Sequence, residues 1–494
     1  MSQIFKLNNQ SLKYLNKQIL KPNYDRTLLS PGIIHIGVGN FHRAHLSWYV
    51  HRLMQRGQAS DWAIIGSGVR EYDSEMREKL KDQDYLTTLM ELDPKGNQTC
   101  EIIGSMINYL PIQKNNLPLI EAMSDPQIRI LSLTVTESGY FIDPDTGHLD
   151  FNHDEILHDI QFPDSPCTAF GAIVSALDIR RRKGHGPFTG LSCDNLIQNG
   201  DKLKQAIIGI AKKRDLDLSN WIETNCSFPN SMVDCIVPRT GDSELELAKN
   251  MGIEDSVPVT HENFRQWVIE DNFCSGRPNW EDVGVKFSSN VHGYEQQKIR
   301  ILNGGHVIIS NAAELLGIKT IREAMADSRI FDLLKKVEYE EIIPYVGEVP
   351  GLSPGEYFEL IANRFSNPSI EDTVRRVAFD ASSRHPGFIF PSIRDGLKSG
   401  NSVKGLALVE ALWARMCQGI RDDGSVIENN DPIWDKLKKF ADEAKLNPER
   451  WLDLKEIYGS LAKDKLFRET FVSWYNFINQ HGVSETIRKY LKKS

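Results

Sequence analysis

The stretch that decides the fold is residues 33–43, which read Ile-Ile-His-Ile-Gly-Val-Gly-Asn-Phe-His-Arg. Its first four residues form a short apolar run bounded by glycine, which is typical of a buried strand. Apolar residues with helical spacing follow from Phe41 to Gln55. The stretch therefore predicts a strand that passes into a helix across Gly37 and Gly39.

Glycines at such a junction let the backbone approach a pyrophosphate, and the N terminus of the helix offers free N–H groups and a positive dipole end. The spacing here is G-x-G-x-x-H, because His42 stands where the third glycine of a dinucleotide-binding loop usually lies. We predict a dinucleotide cofactor at this loop. The residues expected to contact it are Ile36, Gly37, Val38, Gly39, Asn40, Phe41, His42 and Arg43.

Further strand candidates follow at residues 62–66 and 128–136. Strands that alternate with helices predict a parallel sheet of the doubly wound type, that is, an α/β N-terminal domain of the Rossmann type. After about residue 290 the pattern changes, and long helical periodicities dominate. They lie at 294–316, 328–337, 355–366, 370–379, 402–419, 432–445, 451–462 and 465–480.

From this change of pattern we predict three parts. They are an N-terminal arm over 1–30, a Rossmann-type dinucleotide-binding domain over 31–290, and a predominantly α-helical substrate or catalytic domain over 291–494. Within the helical part, residues 337–341 (Val-Glu-Tyr-Glu-Glu) form an acidic run, for which we expect a solvated helix face.

The acidic residue that holds the adenosine ribose should follow the second strand. Glu71 and Asp73 come after that strand, although they lie more than 30 residues beyond Gly39. A carboxylate at this place favours NAD, because it would repel a 2′-phosphate. Arg70 has the opposite charge, so NADP stays open as an alternative.

A second informative stretch is residues 294–306, in which Lys298, Asn303 and His306 are spaced by five and three residues. At about 100° per residue they fall within roughly 140° of one another on a helix. One helix face would then carry an amine, an amide and an imidazole. Gly304 and Gly305 each cost about 1 kcal/mol in a helix interior, which predicts that something such as a ligand approaches the backbone there.

These two stretches resemble the mannitol dehydrogenase family, the long-chain, polyol-specific NAD(P)-dependent dehydrogenases. The family's motif K-x-x-x-x-N-x-x-H stands as Lys298, Asn303 and His306, and its first-strand motif resembles residues 36–45. The resemblance covers nearly the whole chain past residue 30. Further matching segments are Thr136–Tyr140, Ser192–Asn195, Ser227–Asp234 and Arg364–Pro368.

The resemblance implies a Rossmann-type domain, a helical domain and an active site in a cleft. It also implies reversible oxidation of D-mannitol to D-fructose with NAD, without zinc and with Lys298 as the general base. The sequence agrees on the metal, since no cysteine and histidine set has zinc-ligand spacing. Asn303 could donate to the reacting oxygen and stabilise its developing charge. His306 could orient the substrate through a neighbouring hydroxyl.

By the same resemblance, Asn195 would join Asn303 around the reacting oxygen, and Asp234 would bind substrate hydroxyls. Glu137 would contact the nicotinamide end or a proton path, and Glu295 would control proton exchange with solvent.

Two arginines of the helical part complete the set that the resemblance implies. Arg376 matches a substrate-contacting arginine, whereas Arg384 stands where the mannitol dehydrogenases carry a lysine. That departure leaves the hydroxyl contact open, because a guanidinium and an ammonium differ in shape and donor geometry.

Composition limits the class of protein and its partners. The chain of 494 residues has a net charge of −9, which gives no bulk electrostatic reason to bind nucleic acid or anionic lipid. Seven scattered cysteines without a C-x-x-C pair indicate reduced thiols in a cytoplasm. The polar N terminus does not resemble a signal peptide, and no run approaches the ~18 apolar residues of a membrane helix. We therefore expect a cytoplasmic enzyme with a small-molecule polyol or ketose substrate. From the family, we expect a monomer.

Two alternatives to this function remain at the level of sequence. A fructuronate reductase of the same family would need a cation for the substrate carboxylate, and Arg376 or Arg384 could supply it. A catalytically silent nucleotide-binding redox sensor is the alternative of another class, and the intact Lys298, Asn303 and His306 set argues against it.

Overall fold

The computed structural model describes residues 3–135, 137–143 and 147–492, without the side chains of Glu137 and Ser138. It divides into two compact units, one reaching to His292 and the other beginning at Gly293. Each unit has its own buried core. In the part of the chain that the structure describes, no helix is both long and apolar enough to cross a membrane.

The first unit combines helices with several small and one larger sheet. Its strands are β1 Phe5–Lys6, β2 Pro31–Ile36, β3 Ala63–Ser67, β4 Thr87–Leu92, β5 Gln98–Ile103, β6 Met106–Tyr109, β7 Ile130–Leu133, β8 Thr189–Ser192, β9 Ser231–Asp234, β10 Ile253–Glu254, β11 Val259–Glu262, β12 Gln266–Ile269 and β13 Lys286–Phe287. Its helices are α1 Asn40–Ala44, α2 Leu46–Gln55, α3 Asp73–Lys81, α4 Leu117–Ser124, α5 Asp154–Gln161, α6 Ala169–Lys183, α7 Asn199–Arg214, α8 Leu216–Asn225 and α9 Asp242–Asn250.

The larger sheet has the strand order β6-β3-β2-β7-β8, and every neighbouring pair in it is parallel. Parallel strands are usually covered by helices on both faces, so they consist of continuous apolar runs. Ile34 and Ile36 of β2 pack with α6 residues on one face, whereas Ile33 packs with α2 residues on the other. The predicted α/β Rossmann-type fold of this unit is thereby confirmed.

The strand predicted over residues 128–136 is shorter in the structure, where β7 ends at Leu133; Thr136 lies outside the described residues. The helix predicted from Phe41 to Gln55 is interrupted at His45, where α1 ends and α2 begins. The smaller sheets have the orders β11-β4-β5, β13-β12-β9 and β1-β10. Through β1, the predicted N-terminal arm pairs with strand β10 of the first unit.

The second unit is built from helices, as predicted. They are α10 Val291–Gln297, which begins just before the division, α11 Gly304–Leu315, α12 Ile321–Ala326, α13 Ser328–Val337, α14 Pro354–Phe365, α15 Val374–Ala378, α16 Ala381–Phe388, α17 Phe390–Lys398, α18 Lys404–Met416, α19 Trp434–Ala444, α20 Lys455–Tyr458 and α21 Lys465–Leu491. Two π-helical turns, Lys298–Asn303 and Glu338–Ile342, connect consecutive helices. Every residue of α11 except His306 is buried, so this helix lies at the centre of the unit.

The acidic run at residues 337–341 is not the solvated face that its composition predicted. Glu338 and Glu341 are only 0% and 2% exposed, whereas Tyr339 and Glu340 face solvent. The carboxylate of Glu341 accepts hydrogen bonds from the backbone N–H groups of Gly405 and Leu406, at 2.7 and 2.8 Å. Burial raises the pKa of Glu341 to about 7. The carboxylate thus caps the first turn of α18 from inside the core.

We expect Glu341→Ala to lower the free energy of unfolding by about 1–3 kcal/mol, because two buried N–H groups lose their acceptor. The native carboxyl holds its proton to higher pH than the unfolded chain, so the wild type itself loses stability as pH rises from about 4.5 to about 7. The deficit of the variant should therefore shrink over this range. Urea unfolding at several pH values measures it. Glu340→Ala, at an exposed neighbour, is the control, and equal midpoints for the two variants would contradict the capping role.

Candidate active site

The loop after β2 has the geometry that an anionic ligand requires. Gly37 has a φ of +94°, and a Cβ on it would lie 2.1 Å from the carbonyl oxygen of Thr134, so only glycine fits. A Cβ on Gly39 would meet no atom within 4 Å among the described residues, which leaves open space in front of the backbone. Gly39 is also the N-cap of α1, with no side chain to accept the first N–H groups of that helix. This end of α1 therefore suits a pyrophosphate.

Two stacked imidazoles support the loop from below. His35 and His42 have ring centroids 3.5 Å apart. The Nε2 of His35 lies 3.2 Å from the carbonyl oxygen of Gly37 and 2.9 Å from Oγ1 of Thr134. Burial lowers the pKa of His35 to about 3 and that of His42 well below its usual value, so both rings are neutral. His42 therefore packs inward, in the place where dinucleotide-binding loops usually have their third glycine.

Several other predicted cofactor residues also brace the loop with their side chains. The Arg43 guanidinium is only 1% exposed and donates to Oδ1 of Asn40 and to the carbonyl of Val257. The amide of Asn40 donates in turn to the carbonyl of Pro238 at 2.9 Å. Ile36 and Val38 are buried, and the half-buried Phe41 stacks on His45. Backbone groups of this loop, more than its side chains, are thus presented to a ligand.

The two carboxylates expected near the ribose differ in their surroundings. Oδ2 of Asp73 accepts hydrogen bonds from the backbone N–H groups of Val69 and Arg70, at 3.0 and 2.9 Å, and so caps the turn after β3. Glu71 is exposed. The guanidinium of Arg70 pairs with Glu155 of α5 at 2.7 Å. Glu71 is therefore the better placed of the two carboxylates for a ribose.

A second group of predicted residues follows the ends of β7, β8 and β9. The hydroxyl of Tyr140 lies 2.6 Å from Oγ of Ser192 and 3.0 Å from Oδ2 of Asp194, which joins the turn Glu137–Tyr140 to the turn that carries Asn195. Asn195 is half-buried, and Asp234 is the buried last residue of β9. The side chain of Glu137 lies outside the described part of the chain.

In the second unit, the predicted lysine helix contains a π turn that the sequence spacing did not reveal. A π turn closes hydrogen bonds from residue i to i+5, and Lys298 and Asn303 are five apart at its two ends. The wider turn reduces the angle between them below the roughly 140° expected on an ideal α-helix. Such π turns occur often at functional sites. Lys298, Asn303 and His306 are all half-buried, and Glu295 is buried at 3% exposure.

Besides Oδ1 of Asn311, two polar atoms on this helix are buried and have no hydrogen-bond partner within the described residues. They are Nδ2 of Asn303 and Nε2 of His306, three residues apart. Buried polar groups are nearly always satisfied, so a pair left without partners on neighbouring positions indicates that a ligand supplies them. The ring of His306 stacks on Phe365 at 4.1 Å.

The charged neighbours of His306 include both predicted substrate arginines. Burial is the main cause that lowers its pKa to about 3, and Arg376, Arg384 and Arg364 lower it further, while Asp372 opposes them. The imidazole is therefore neutral near pH 7. Arg376 is held by Asp372 through two contacts of 2.6 Å, and Arg384 donates to the carbonyl of Val377. Asp372 was missed at the sequence level, although its spacing of four residues from Arg376 is a signal for such a pair.

A cavity of about 850 Å³ in the second unit has both arginines in its wall. Its lining also includes Lys319, Arg375 and Arg421 but, among the described residues, neither Lys298 nor His306. Arg421 is paired with Glu314 at 2.6 Å, and Arg375 donates to backbone carbonyls. The cavity thus lies beside Arg376 and Arg384 and continues to the C-terminal end of α11.

The glycine pair after Asn303 has a different explanation from the ligand that we expected. A Cβ on Gly305 would lie 3.3 Å from Oε1 of Glu338 and 3.4 Å from the ring of Phe365, and one on Gly304 would lie 3.6 Å from the carbonyl oxygen of Phe388. Neighbouring segments of the same unit therefore approach the glycines. Both carboxyl oxygens of Glu338 are buried without a partner in the described chain, and burial raises the pKa of this group well above its usual value.

One set of metal-type ligands occurs in the described residues, although the sequence spacing predicted none. His158, Asp159 and Cys167 have potential ligand atoms within 4.8 Å of one another. The carboxylate of Asp159 already accepts from the backbone N–H groups of Cys167 and Thr168 and from the Thr168 hydroxyl. Burial raises the pKa of the Cys167 thiol to about 12, which disfavours the thiolate that a metal needs. These three residues are therefore better explained by the hydrogen bonds that hold the segment at Cys167 and Thr168 than by a metal site.

Comparison with known proteins gives matches over almost the whole chain. A family model described as the mannitol dehydrogenase Rossmann domain matches residues 31–282, and one described as the mannitol dehydrogenase C-terminal domain matches residues 290–479. A mannitol 2-dehydrogenase of Cereibacter sphaeroides is 49% identical over 97% of this chain and 100% of that protein. A mannitol dehydrogenase of Saccharomyces cerevisiae is 39% identical over 93% of this chain and 92% of that protein.

Solved structures give the same result. The Pseudomonas fluorescens mannitol 2-dehydrogenase, in a ternary complex with NAD and D-mannitol, has a TM-score of 0.93 and 37% identity, over 99% of this chain and 100% of that chain. A substrate-free D-sorbitol dehydrogenase has a TM-score of 0.85 and 33% identity, over 97% of this chain and 100% of that chain.

Proposed function

Because the chain belongs to the mannitol dehydrogenase family, we propose that it catalyses the reversible oxidation of D-mannitol at C2 to D-fructose, with NAD. The observation that carries the proposal is a pair of buried atoms without a partner among the described residues, Nδ2 of Asn303 and Nε2 of His306, on the helical segment that carries the half-buried Lys298. An alcohol that loses a hydride needs a base for its proton and donors for its oxygen. The lysine helix supplies both kinds of group.

In the proposed reaction, Lys298 takes the proton of the C2 hydroxyl. Asn303 and Asn195 donate hydrogen bonds to the reacting oxygen, and the neutral His306 orients a neighbouring hydroxyl. The bound dinucleotide supplies the acceptor for the hydride that leaves C2. Asn303 acts with more effect inside the protein than in water, because its donor is already in place and shielded from solvent.

Other predicted residues bind the rest of the polyol and move the proton. Asp234 accepts from substrate hydroxyls, and Arg376 and Arg384 donate to them. Glu295, buried three residues before Lys298, passes the proton from the lysine toward solvent, and Glu137 lies on the same path. No zinc takes part in this mechanism.

The proposed cofactor is NAD. The open space at Gly39 and the uncapped start of α1 fit its pyrophosphate, and the exposed Glu71 suits a ribose hydroxyl and repels a 2′-phosphate. Arg70 is engaged by Glu155 and is therefore a poor partner for a phosphate. We further propose a monomeric cytoplasmic enzyme. Seven free cysteines support a reducing compartment.

A fructuronate reductase is the second candidate, and one observation favours it. Arg376 and Arg384 lie together in the wall of the 850 Å³ cavity, and two guanidinium groups form a natural site for a carboxylate. Against it, the Arg376 guanidinium already donates two hydrogen bonds to the carboxylate of Asp372. We therefore prefer the neutral polyol.

We expect Lys298→Ala to lower kcat for D-mannitol oxidation by about 10²–10⁴-fold, the usual contribution of a general base, while NADH binding persists. Stopped-flow or steady-state absorbance gives kcat, and fluorescence titration gives the dissociation constant of NADH. Lys335→Ala, at an exposed position of α13, is the matched control. A Lys298→Ala enzyme that keeps more than about a tenth of wild-type kcat would remove the lysine from this role.

Dialysis against EDTA should leave the wild type active, because the proposed mechanism uses no metal. Loss of activity that zinc restores would contradict the metal-free mechanism.

We expect the wild type to prefer NAD over NADP by at least about tenfold in kcat/KM, and Glu155→Gln to reduce this preference by roughly three- to tenfold. The reason is that Arg70 loses its carboxylate partner and becomes available to a 2′-phosphate. Titration of the enzyme with NADP⁺ should show the same change in binding. Adding Arg70→Ala to Glu155→Gln should restore the preference, and Glu121→Gln, at an exposed site of α4, should not change it. An unchanged ratio in Glu155→Gln would show that Arg70 does not face the ribose.

The charge of the substrate separates the two candidate functions. We expect D-fructose to be reduced with a higher kcat/KM than D-fructuronate at equal NADH, because Asp372 neutralises Arg376 and Asp234 repels a carboxylate. Initial rates of NADH oxidation over a range of both sugars measure the ratio. A higher kcat/KM for D-fructuronate would mean that the arginines bind a carboxylate and that the mannitol assignment is wrong.

A further inference from the structure

A buried asparagine that the proposed mechanism does not use lies between two of its substrate-binding segments. Asn199 is the first residue of α7 and is 0% exposed. Its Nδ2 donates to the carbonyl oxygen of Asp194 at 3.0 Å and to that of Ser231 at 2.8 Å. Its Oδ1 accepts from the backbone N–H of Ser231 at 3.0 Å. One planar amide thus joins the turn after β8 to the first residue of β9.

The surroundings leave this amide little freedom to move. The hydroxyl of Ser231 donates to the carbonyl of Ser192 at 2.6 Å, which joins β9 directly to the end of β8. A Cβ on Gly200 would lie 2.4 Å from the carbonyl oxygen of Pro229, so the start of α7 is pressed against the segment that leads into β9. The Asn230 amide also bonds with Asp201 of the same helix turn. Neither the end of β8 nor the start of β9 can therefore shift without breaking several buried hydrogen bonds.

The two segments that Asn199 joins carry proposed substrate residues. Asn195 directly follows Asp194, and Asp234 lies three residues after Ser231, at the end of β9. Two carbonyl oxygens repel each other unless donors lie between them, and the two amide hydrogens of Asn199 provide those donors. A catalytic geometry that is misplaced by about 1 Å can cost a hundredfold in rate.

From this arrangement we propose that Asn199 is a positioning residue, which sets the distance between Asn195 and Asp234 and thereby the fit of the sugar. The inference rests on the proposed function, because it takes the substrate roles of those two residues from it.

The test compares Asn199→Asp and Asn199→Ala with the wild type in the full-length protein. Asn199→Asp has nearly the same shape but places a second acceptor against two carbonyl oxygens. We expect kcat/KM for D-mannitol to fall by about 10–100-fold, and the deuterium isotope effect with C2-deuterated mannitol to rise, because hydride transfer becomes more limiting. The dissociation constant of NADH should change by less than about twofold, since the loop after β2 is untouched. Asn225→Asp, at an exposed position at the end of α8, is the matched control.

A purely structural role would give a different set of results. If the Asn199 variants unfold at lower temperature but the folded enzyme keeps the wild-type KM, kcat and isotope effect, the positioning role is wrong. If they do not fold at all, Ser231→Ala decides, because it removes the hydroxyl that donates to Ser192 and accepts from Nδ2 of Asn199, and leaves the other bonds of Asn199 in place. It should raise KM for the sugar about threefold without a change in NADH binding, and a wild-type KM would overturn the proposal.

The same experiment tests the proposed function separately, through the activity of the wild type. A wild type that does not oxidise D-mannitol would refute that function. The variants are then compared on whichever polyol or hexonate the wild type does turn over, and the same pattern of KM, isotope effect and NADH binding decides the role of Asn199.

Discussion

The first unit depends on one constraint, which is that parallel strands in register end at a common edge of the sheet. In the central rows, Ile36 of β2 pairs with Ser67 of β3 and with Leu133 of β7, and Leu133 pairs with Ser192 of β8. The segments that follow these four residues are therefore neighbours, however far apart they are in the sequence. The glycine loop, the Arg70 turn, the Glu137 turn and the Asn195 turn all begin there. Ligands of open α/β sheets bind at this edge for the same reason.

The second unit depends on a different constraint, which is that its buried polar groups need partners. Its central helix α11 is buried at every residue but His306, so any functional group on it must be satisfied by protein or by ligand. Asp372 provides the partner for Arg376, and the π turn brings Lys298 and Asn303 toward the same side of the helix. Burial keeps His306 neutral, which fits a group that donates or accepts a hydrogen bond rather than one that carries charge. Such a site would suit the neutral, hydroxyl-rich substrate that we propose.

Much of this could be predicted from the sequence because the signals are local. The spacing of Gly37 and Gly39 and that of Lys298, Asn303 and His306 each lie within one turn or one helix. The directions of side chains could not be predicted, because they depend on residues far along the chain. His42 and Arg43 turn inward onto β2 and onto the Val257 segment.

The same limit explains the acidic run at residues 337–341 and the residues that were missed. Two of its three carboxyl groups are buried, one of them because α18, more than sixty residues later, offers its N–H groups. Nothing local marks Asn199 either, since its partner Ser231 belongs to β9, 32 residues later. The π turn was hidden because an ideal α-helix was the simplest interpretation of the spacing.

The pairing of β1 with β10 has a consequence for how the chain is made. Phe5 leaves the ribosome 248 residues ahead of Ile253, which is its partner in the sheet. At roughly 5–20 residues per second, synthesis of the intervening chain takes on the order of tens of seconds. Over that time the apolar residues Leu7, Leu15 and Ile19 lack Ile253, which belongs to the same buried cluster. The cluster around Leu7, Leu15 and Ile19 thus becomes complete only when most of the first unit has been synthesised.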